Sequence, residues 1–258
     1  MDLIESTDGP RHPWEKSRKA FFTSVLSSAL RGRAGTEVLD CGAGDAFFSA
    51  SLAAVVDLQS VTCWDVGYDA ATIGRLEKRY GAAGGRTSFS FTRSMPGRRF
   101  DLILMLDVIE HVQDDVEFVT NIVETCLAPN GLVLVSVPAW QPLFSRHDVL
   151  LRHYRRYAPG QCDRVLRDSG LEITNRGGLF HSLVLPRMVA VVRERAEEAV
   201  GKAKPLSESA AGTWRGGRVV TSVVDAALRG DNALSHVAAR VGLNLPGLSY
   251  WALARKRG

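Results

Sequence analysis

The alternation of strand-like and helix-like segments between residues 36 and 138 constrains the fold of this chain most. Short runs of aliphatic and β-branched residues, such as TEVLD at 36–40 and GLVLVSV at 131–137, alternate with stretches of helical periodicity. The strand-like runs are apolar on both faces, as strands buried between two helical layers are. The pattern predicts an α/β fold with a mostly parallel sheet, in which an Asn130-Gly131 turn leads into the strand at 131–137.

The periodicity divides the chain into four segments. A helical cap that includes a helix at about Trp14–Leu30 precedes the α/β core, and a helical insertion separates that core from its last strand. These segments are residues 1–35, 36–179, 180–245 and 246–258. The insertion has amphipathic periodicity around residues 188–192, 219–228 and 234–241, which predicts three helices, with a linker-like run at 201–213 between the first two.

Composition favours a folded globular protein. The 258 residues are 45% hydrophobic, which is enough for a sizeable core. No run approaches the roughly 20 apolar residues of a membrane-spanning helix, and the first residues lack the layout of a signal peptide, so a cytoplasmic location is expected. Four singly spaced cysteines predict buried thiols rather than disulfides, and the sequence predicts no metal site.

Charge is distributed unevenly along the chain. Residues 1–140 carry a net charge of −5 and residues 141–258 a net charge of +9. The basic half favours an acidic partner, which charge alone does not identify. Nucleic acid is disfavoured because the basic residues are not interleaved with aromatic residues.

A glycine-rich turn follows the first strand of the core. Asp40 ends the strand, Gly42 and Gly44 form the turn, and Asp65 ends the next strand at a spacing typical of a carboxylate that binds ribose hydroxyls. A tight turn without a ligand is the alternative. NAD is disfavoured, because Phe47 occupies the position of the third glycine in the dinucleotide motif. Asp40 also suits a ligand with an ammonium group.

These motifs, together with the run FDLILMLDVIEHV at 100–112, resemble those of class I S-adenosylmethionine-dependent methyltransferases, particularly the ubiquinone-biosynthesis-like subgroup. The resemblance covers residues 36–175 and the last strand. It implies a Rossmann-like, mostly parallel seven-stranded sheet whose last strand is antiparallel. It also implies S-adenosyl-L-methionine as cofactor and S-adenosyl-L-homocysteine as product. The cofactor-binding residues would be Asp40, Cys41, Gly42, Gly44, Asp65, Val66, Leu106 and Asp107.

The chain departs from the family after the third strand. Many members have an acidic residue there that contacts the adenine amino group, whereas this chain reads Phe91-Thr92-Arg93-Ser94-Met95. Backbone groups or the hydroxyl of Thr92 are therefore expected to recognise adenine.

The acceptor is expected beyond the carboxyl ends of the strands. His147, oriented by Asp148, is the preferred general base over His111, and Arg155 is a cation that would position a carboxylate. The expected acceptor pocket consists of Trp140, His153, Arg156 and Tyr157. The alternatives are that Glu110-His111 anchors the following helix, that His147 and His153 stabilise a loop, and that Arg155-Arg156 is a solvated surface.

Three interpretations of residues 180–245 stay open: a lid over the acceptor, which is favoured, a dimer surface, or a peripheral membrane contact. The leading function is O-methylation of a small-molecule or peptide acceptor by a monomer or homodimer. The alternatives are a catalytically silent nucleoside-binding module or partner subunit, and an RNA methyltransferase.

Overall fold

The sheet contains seven strands in the order β3-β2-β1-β4-β5-β7-β6. The computed structural model of the chain describes residues 11–81, 86–202, 217–240, 243 and 245–256. β7 pairs antiparallel with β5 and β6, and the β1, β2, β3, β4 and β5 pairings are parallel. This confirms the predicted fold. The strands are β1 Thr36–Cys41, β2 Leu58–Trp64, β3 Ser88–Thr92, β4 Phe100–Leu106, β5 Leu127–Pro138, β6 Leu171–Leu179 and β7 Ser249–Lys256.

Helices cover both faces of the sheet. They are α1 Pro13–Ala29, α2 Phe47–Ala53, α3 Ala70–Leu76, α4 Asp115–Cys126, α5 Arg146–Leu150, α6 Pro159–Asp168, α7 Val184–Ala199 and α8 Arg218–Arg240. Single helical turns occur at Ile109–His111, Gln141–Leu143 and His181–Leu183, and a π-helical turn at Glu77–Gly81 extends α3.

The helical insertion differs from its predicted organisation. The helices predicted around 219–228 and 234–241 are one continuous helix, α8. Gly230 falls between the two predicted helices, but one glycine costs a helix only about 1 kcal/mol. Buried contacts of Leu228, Asn232 and Ser235 hold the helix on both sides of it. Most of the linker-like run, and Val241, lie outside the described residues.

Two further elements differ from the sequence pattern. α5 was not predicted, because its five residues are too few to show helical periodicity. β5 begins at Leu127, so the Asn130-Gly131 pair lies within the strand rather than before it. Asn130 has φ of +59°, and the register of β5 against β4 shifts nearby, so a local irregularity stands where a turn was expected.

The core consists of two apolar layers, one on each face of the sheet. α4 and α6 contribute to one layer, and α1, α2 and α8 contribute to the other. The four cysteines are buried free thiols, as predicted. Among the described residues, no helix is both long enough and apolar enough to span a bilayer.

The strand order reverses between β1 and β4, since β2 lies on one side of β1 and β4 on the other. A crevice forms outside the carboxyl ends of the strands at such a point, which makes it the expected ligand site.

Candidate cofactor and acceptor site

A cavity of about 370 Å³ lies in this crevice, at the ends of β1, β2 and β4 and against α1. All eight residues expected to bind the cofactor line this cavity: Asp40, Cys41, Gly42, Gly44, Asp65, Val66, Leu106 and Asp107. The topology therefore brings together residues that are far apart in the chain.

The glycine turn at the end of β1 forms the floor of the cavity. Gly42 and Gly44 have φ of +65° and +53°, in the left-handed region that side chains disfavour. A Cβ on Gly42 would lie 2.9 Å from Cγ2 of Val108, whereas no described heavy atom comes within 4 Å of a Cβ built on Gly44. The bend is thus closed by packing on one side and open to a ligand on the other.

Two buried carboxylates flank the glycine turn. The Asp40 carboxylate accepts a hydrogen bond from the Ser49 hydroxyl. Burial raises the pKa of Asp40 to about 7, and the charge of Asp65 adds to this, although the Ser49 hydrogen bond opposes it. Asp65 accepts hydrogen bonds from the amides of Gly44 at 3.1 Å and Gly67 at 2.8 Å, so it also fixes the turn.

Asp107 directly follows β4 and lines the cavity. Its backbone has φ of +57°, an uncommon conformation for a residue with a side chain. Its carboxylate pairs with Arg18 and accepts a hydrogen bond from Ser136 Oγ at 3.2 Å. An ion pair thus joins α1 to β4 across the cavity.

α1 supplies a wall that is both aromatic and basic. The Arg18 guanidinium lies 4.4 Å from the centre of the Trp14 ring, and Lys19 Nζ lies 5.1 Å from that of Phe47. Arg11 pairs with Asp45. Trp14 and Arg18, on the helix predicted at about 14–30, line the cavity, and so do Arg11 and Lys19, which no sequence pattern singles out. Basic residues are common on amphipathic helices, so the sequence alone does not identify these as site residues.

The residues that line the cavity fit S-adenosylmethionine. Asp40 offers a buried negative charge to a ligand ammonium group, and Asp65 has carboxylate oxygens for ribose hydroxyls. The open side of the Gly44 bend leaves the backbone accessible. Thr92 does not line the cavity, and its hydroxyl exchanges hydrogen bonds with the backbone of Ser94.

Both predicted catalytic histidines, His111 and His147, line the cavity. The predicted pairing of His147 with Asp148 is wrong. The backbone amide of His147 is bonded to Ser145 Oγ, and the Asp148 carboxylate instead lies 2.9 Å from His153 Nδ1. Adjacent residues on a helical turn point in different directions, which explains the error.

Asp148 is the centre of a buried ion-pair network. It accepts hydrogen bonds from Arg156 Nε at 2.8 Å and Arg187 at 2.9 Å, and it caps α5 through Ser145. Although burial alone raises the pKa of Asp148, the His153 hydrogen bond and the two arginines hold it well below its usual range. Asp148 therefore stabilises the packing of α5 against α7 and against the segment that contains His153 and Arg156, and it does not line the cavity.

Arg155 is not available as a carboxylate clamp in this structure. Its guanidinium pairs with Asp115 at 2.8 Å and donates to the carbonyl of Gln113. It does not line the cavity.

The predicted acceptor pocket also requires correction, because none of its four residues lines the cavity. The Trp140 indole donates to the Gly247 carbonyl at 2.8 Å. The Tyr157 hydroxyl is buried and donates to Asp115 at 2.6 Å. Arg156 and His153 are bound to Asp148. The segment follows a strand end, as predicted, but its side chains turn into the protein.

The region at 180–245, favoured as a lid, contributes no described residue to the lining of the cavity. α7 packs behind α5 instead, through the Arg187–Asp148 pair, and α8 packs against α1 and β6.

Glu110, His111 and His153 form a cluster that no sequence pattern predicts. One ligand atom of each lies within 4.8 Å of the others. Glu110 is fully buried, and it belongs to the helical turn at Ile109–His111 rather than to the cap of α4. The cluster is not predictable from the sequence because His153 lies far along the chain from Glu110 and His111.

Comparisons with known proteins identify the family of the chain. A family model described as a methyltransferase domain matches residues 14–175. A Mycolicibacterium smegmatis protein named "Probable S-adenosylmethionine-dependent methyltransferase" is 27% identical over 177 residues, which cover 66% of this chain and 67% of that protein. The ubiquinone biosynthesis O-methyltransferase of Rhizobium etli is 31% identical over 97 residues, which cover 33% of this chain and only 39% of that protein.

A solved structure shares the whole fold. The N-methyltransferase NodS from Bradyrhizobium japonicum, in complex with S-adenosyl-L-homocysteine, aligns with a TM-score of 0.54 at 15% identity. The alignment covers 99% of this chain and 95% of that chain.

Proposed function

Because the chain belongs to the class I S-adenosylmethionine-dependent methyltransferase superfamily, we propose that it methylates an oxygen of a small-molecule or peptide acceptor in the cavity beside α1. Methyltransferase activity and the cofactor follow from the family. The acceptor class, the methylated atom and the residue roles are the proposal.

One observation carries the proposed cofactor site: the eight expected residues line a single cavity in which two buried carboxylates flank a glycine bend. Asp40 would bind the ammonium group of the methionine part, and Asp65 the ribose hydroxyls. The backbone of Gly42 and Gly44 would lie against the ligand, since neither has a Cβ. When bound, S-adenosylmethionine supplies a methyl group on an electrophilic sulfonium.

The acceptor would occupy the part of the cavity lined by His111, His147 and Leu151. Aligning the acceptor with the methyl group supplies most of the rate enhancement in such a displacement. A hydroxyl acceptor must also lose its proton, and His147 at the cavity wall is the proposed base.

His111 is less suited to this role. Burial lowers the pKa of both histidines, and that of His111 falls to about 4, which makes His111 a weak base at neutral pH. Oxygen as the methylated atom is supported by the name of the ubiquinone biosynthesis relatives, which are O-methyltransferases. No observation favours the alternatives of a silent module or an RNA methyltransferase.

Isothermal titration calorimetry tests the cofactor site. We expect S-adenosylhomocysteine to bind with micromolar affinity and NAD not to bind. Asp65→Ala should weaken binding at least tenfold, because the ribose loses a charged hydrogen-bond partner worth about 1.5–3 kcal/mol. Asp57→Ala, at an exposed carboxylate outside the cavity, is the matched control and should bind normally. Equal affinity of the two variants would refute the assigned site.

A further inference from the structure

The outer face of α8 is exposed and apolar along almost the whole helix. Successive residues of this face are three and four positions apart in turn, which is the spacing of a coiled-coil seam. Its valines and its leucine are each more than half exposed. We call this set the α8 stripe, and its members are Val220, Val223, Ala227, Gly230, Leu234 and Val237, with the exposed Ala226 and Ala233 beside them.

The opposite face of α8 is already used inside the protein. Leu228 is buried there, the Asn232 amide donates to Ser17 of α1, and the Ser235 hydroxyl donates to the Gly178 carbonyl of β6. A helix that packs on a protein core normally presents charged and polar side chains to solvent on its outer face. The α8 stripe lacks them, so this outer face has the character of a second packing surface.

Gly230 lies near the middle of the stripe and has no packing reason within a single chain. A Cβ on Gly230 would meet no described heavy atom within 4 Å, and the backbone there is not in the left-handed region. Glycine weakens a helix, and an isolated glycine inside one usually has a packing reason. A second helix crossing closely over Gly230 would supply that reason, because neither glycine nor the neighbouring alanines hold the backbones apart.

The stripe is complementary to a second copy of itself. Its spacing of three, four, three, four and three positions reads the same from both ends. An antiparallel copy therefore aligns Val220 with the partner's Val237, Val223 with the partner's Leu234 and Ala227 with the partner's Gly230. Large residues then meet at both ends of the contact and small residues at its centre, as a contact about a two-fold axis requires.

The charges on α8 favour a protein partner over an anionic membrane. The charged side chains described on this helix are two acids and one base. Asp225 pairs with Arg229 at 2.9 Å, and Asp231 accepts hydrogen bonds from Ser182. Helices that lie on anionic membranes are instead rich in lysine and arginine beside their apolar face.

We propose that α8 forms the contact surface of a homodimer, in which the α8 stripe of one copy packs antiparallel on that of a second copy. The stripe extends over residues 220–237, about 27 Å at a rise of about 1.5 Å per residue. Pairing two such stripes buries roughly 500 Å² of each copy, near the lower limit of specific interfaces. The dimer is therefore reversible, with a Kd in the micromolar range.

The dimer leaves the cofactor and acceptor cavity open, because no described residue of α8 lines it. The proposal is thus independent of the proposed function. Binding of S-adenosylhomocysteine serves as a measure of folding for every variant of the stripe.

Sedimentation velocity on the full chain, from about 1 to 300 µM, measures the association. We expect a monomer at the lowest concentrations and a dimer at the highest. Val223→Asp should raise the Kd of the dimer at least tenfold, because it places a carboxylate against the partner's Leu234. A monomer at all concentrations would overturn the proposal.

The matched control lies on α7, whose Val192 is also exposed and apolar. Val192→Asp should dimerise as the wild type does. Equal weakening of the dimer by Val192→Asp and Val223→Asp would show that apolar surface in general drives association, and it would overturn the assignment to α8.

Gly230→Gln separates loss of the interface from loss of folding. Glutamine is a better helix former than glycine, so the unfolding temperature of the monomer, measured at low concentration, should rise. The longer side chain blocks the close approach of the second helix, so the Kd of the dimer should increase at least tenfold. A more stable monomer with unchanged association would contradict a close contact at Gly230.

Disulfide cross-linking tests the antiparallel arrangement. Val223→Cys and Leu234→Cys proteins, mixed and mildly oxidised, should form mainly the mixed disulfide. Two copies of residue 223 would lie roughly 16 Å apart along the helix axis, too far for a bond. Cross-linking of each variant mainly to itself would refute the arrangement. Binding of a purely monomeric protein to phosphatidylglycerol vesicles, lost in Val223→Asp, would assign the stripe to a membrane and overturn the dimer.

Discussion

At the scale of single residues, the sequence predicted the parts of the site that depend on local backbone geometry. Asp40, Gly42 and Gly44 lie within one turn, so their motif determines their relative positions. Asp65 was predictable because adjacent parallel strands place their ends side by side. The direction of an individual side chain was not predictable. Arg155 and Arg156 are neighbours in sequence, yet they bind different carboxylates.

Asp40 should link cofactor binding to pH. Its pKa is raised to about 7, mainly by burial, so the carboxyl is mostly protonated at pH 6 in the free protein. A ligand ammonium group favours the ionised form, so binding at pH 6 should release about one proton. S-adenosylhomocysteine affinity should therefore fall as pH decreases from 8 to 6. Calorimetry in buffers of different ionisation enthalpy measures the release.

The matched variant for this linkage is Asp40→Asn, which keeps the shape but cannot ionise. We expect weaker binding with no change between pH 6 and 8. A wild type whose affinity is constant over this range would contradict the role of Asp40.

Gly42 should not tolerate a side chain. Gly42→Ala places a Cβ 2.9 Å from Val108 and forces a left-handed conformation that costs roughly 1–2 kcal/mol. Thermal unfolding should show this loss, and S-adenosylhomocysteine binding should weaken. Gly74→Ala, in the helical interior of α3 with open space around it, should be neutral or stabilise by up to about 1 kcal/mol. Similar effects at both glycines would argue against the strained turn.

At the scale of elements, the Asp148 network explains how α5 and α7 are positioned. The sequence Ser145-Arg146-His147-Asp148 is a capping box, a pattern visible in the sequence. Its distant partner Arg187 was not predictable, because it comes from a helix whose packing depends on the whole fold. The misassigned acceptor pocket has the same cause, since these polar side chains connect elements instead of lining the cavity.

Replacing Asp148 should destabilise the protein strongly. Asp148→Ala leaves Arg156 buried without its carboxylate partner, and removing one partner of a buried pair costs about 3–5 kcal/mol. Urea unfolding monitored by circular dichroism measures the loss. Asp168→Ala, at an exposed carboxylate on α6, should change stability by less than about 0.5 kcal/mol.

The same network predicts that the protein becomes less stable as the pH falls into the acid range. The His153 hydrogen bond and the two arginines hold the pKa of Asp148 well below its usual range in the folded protein, so the stabilisation from Asp148 is present above about pH 4 and is lost as the pH falls further. The Asp148→Asn variant should show less loss of stability between pH 5 and 3 than the wild type. A steeper loss in the variant would contradict the assignment.

At the scale of the whole molecule, the sheet and its flanking helices follow from the alternating pattern, whereas the packing of the insertion does not. Asn232 of α8 donates to Ser17 of α1 at 2.9 Å, and its side-chain oxygen accepts from the Phe180 amide at 3.1 Å. A contact between residues so far apart in the chain produces no local sequence pattern from which it could be predicted. α8 therefore supports α1, which in turn lines the cavity.

Loss of this contact between α8 and α1 should weaken binding of the cofactor. Asn232→Ala leaves buried polar groups unpaired, which costs about 1–3 kcal/mol of stability. We expect S-adenosylhomocysteine affinity to fall several-fold, since α1 carries Trp14 and Arg18 at the cavity. Asn121→Ala on the exposed side of α4 is the control and should alter neither quantity. Normal affinity in a destabilised Asn232→Ala protein would show that α8 and the cavity are independent.

A crystal structure of the chain with S-adenosylhomocysteine tests the central claim most directly. The account predicts electron density for the ligand in the cavity, with its ammonium group at the Asp40 carboxylate, its ribose hydroxyls at Asp65 and its sulfur directed toward His111 and His147. Density elsewhere, or a ribose that leaves Asp65 without contact in the saturated complex, would contradict the account.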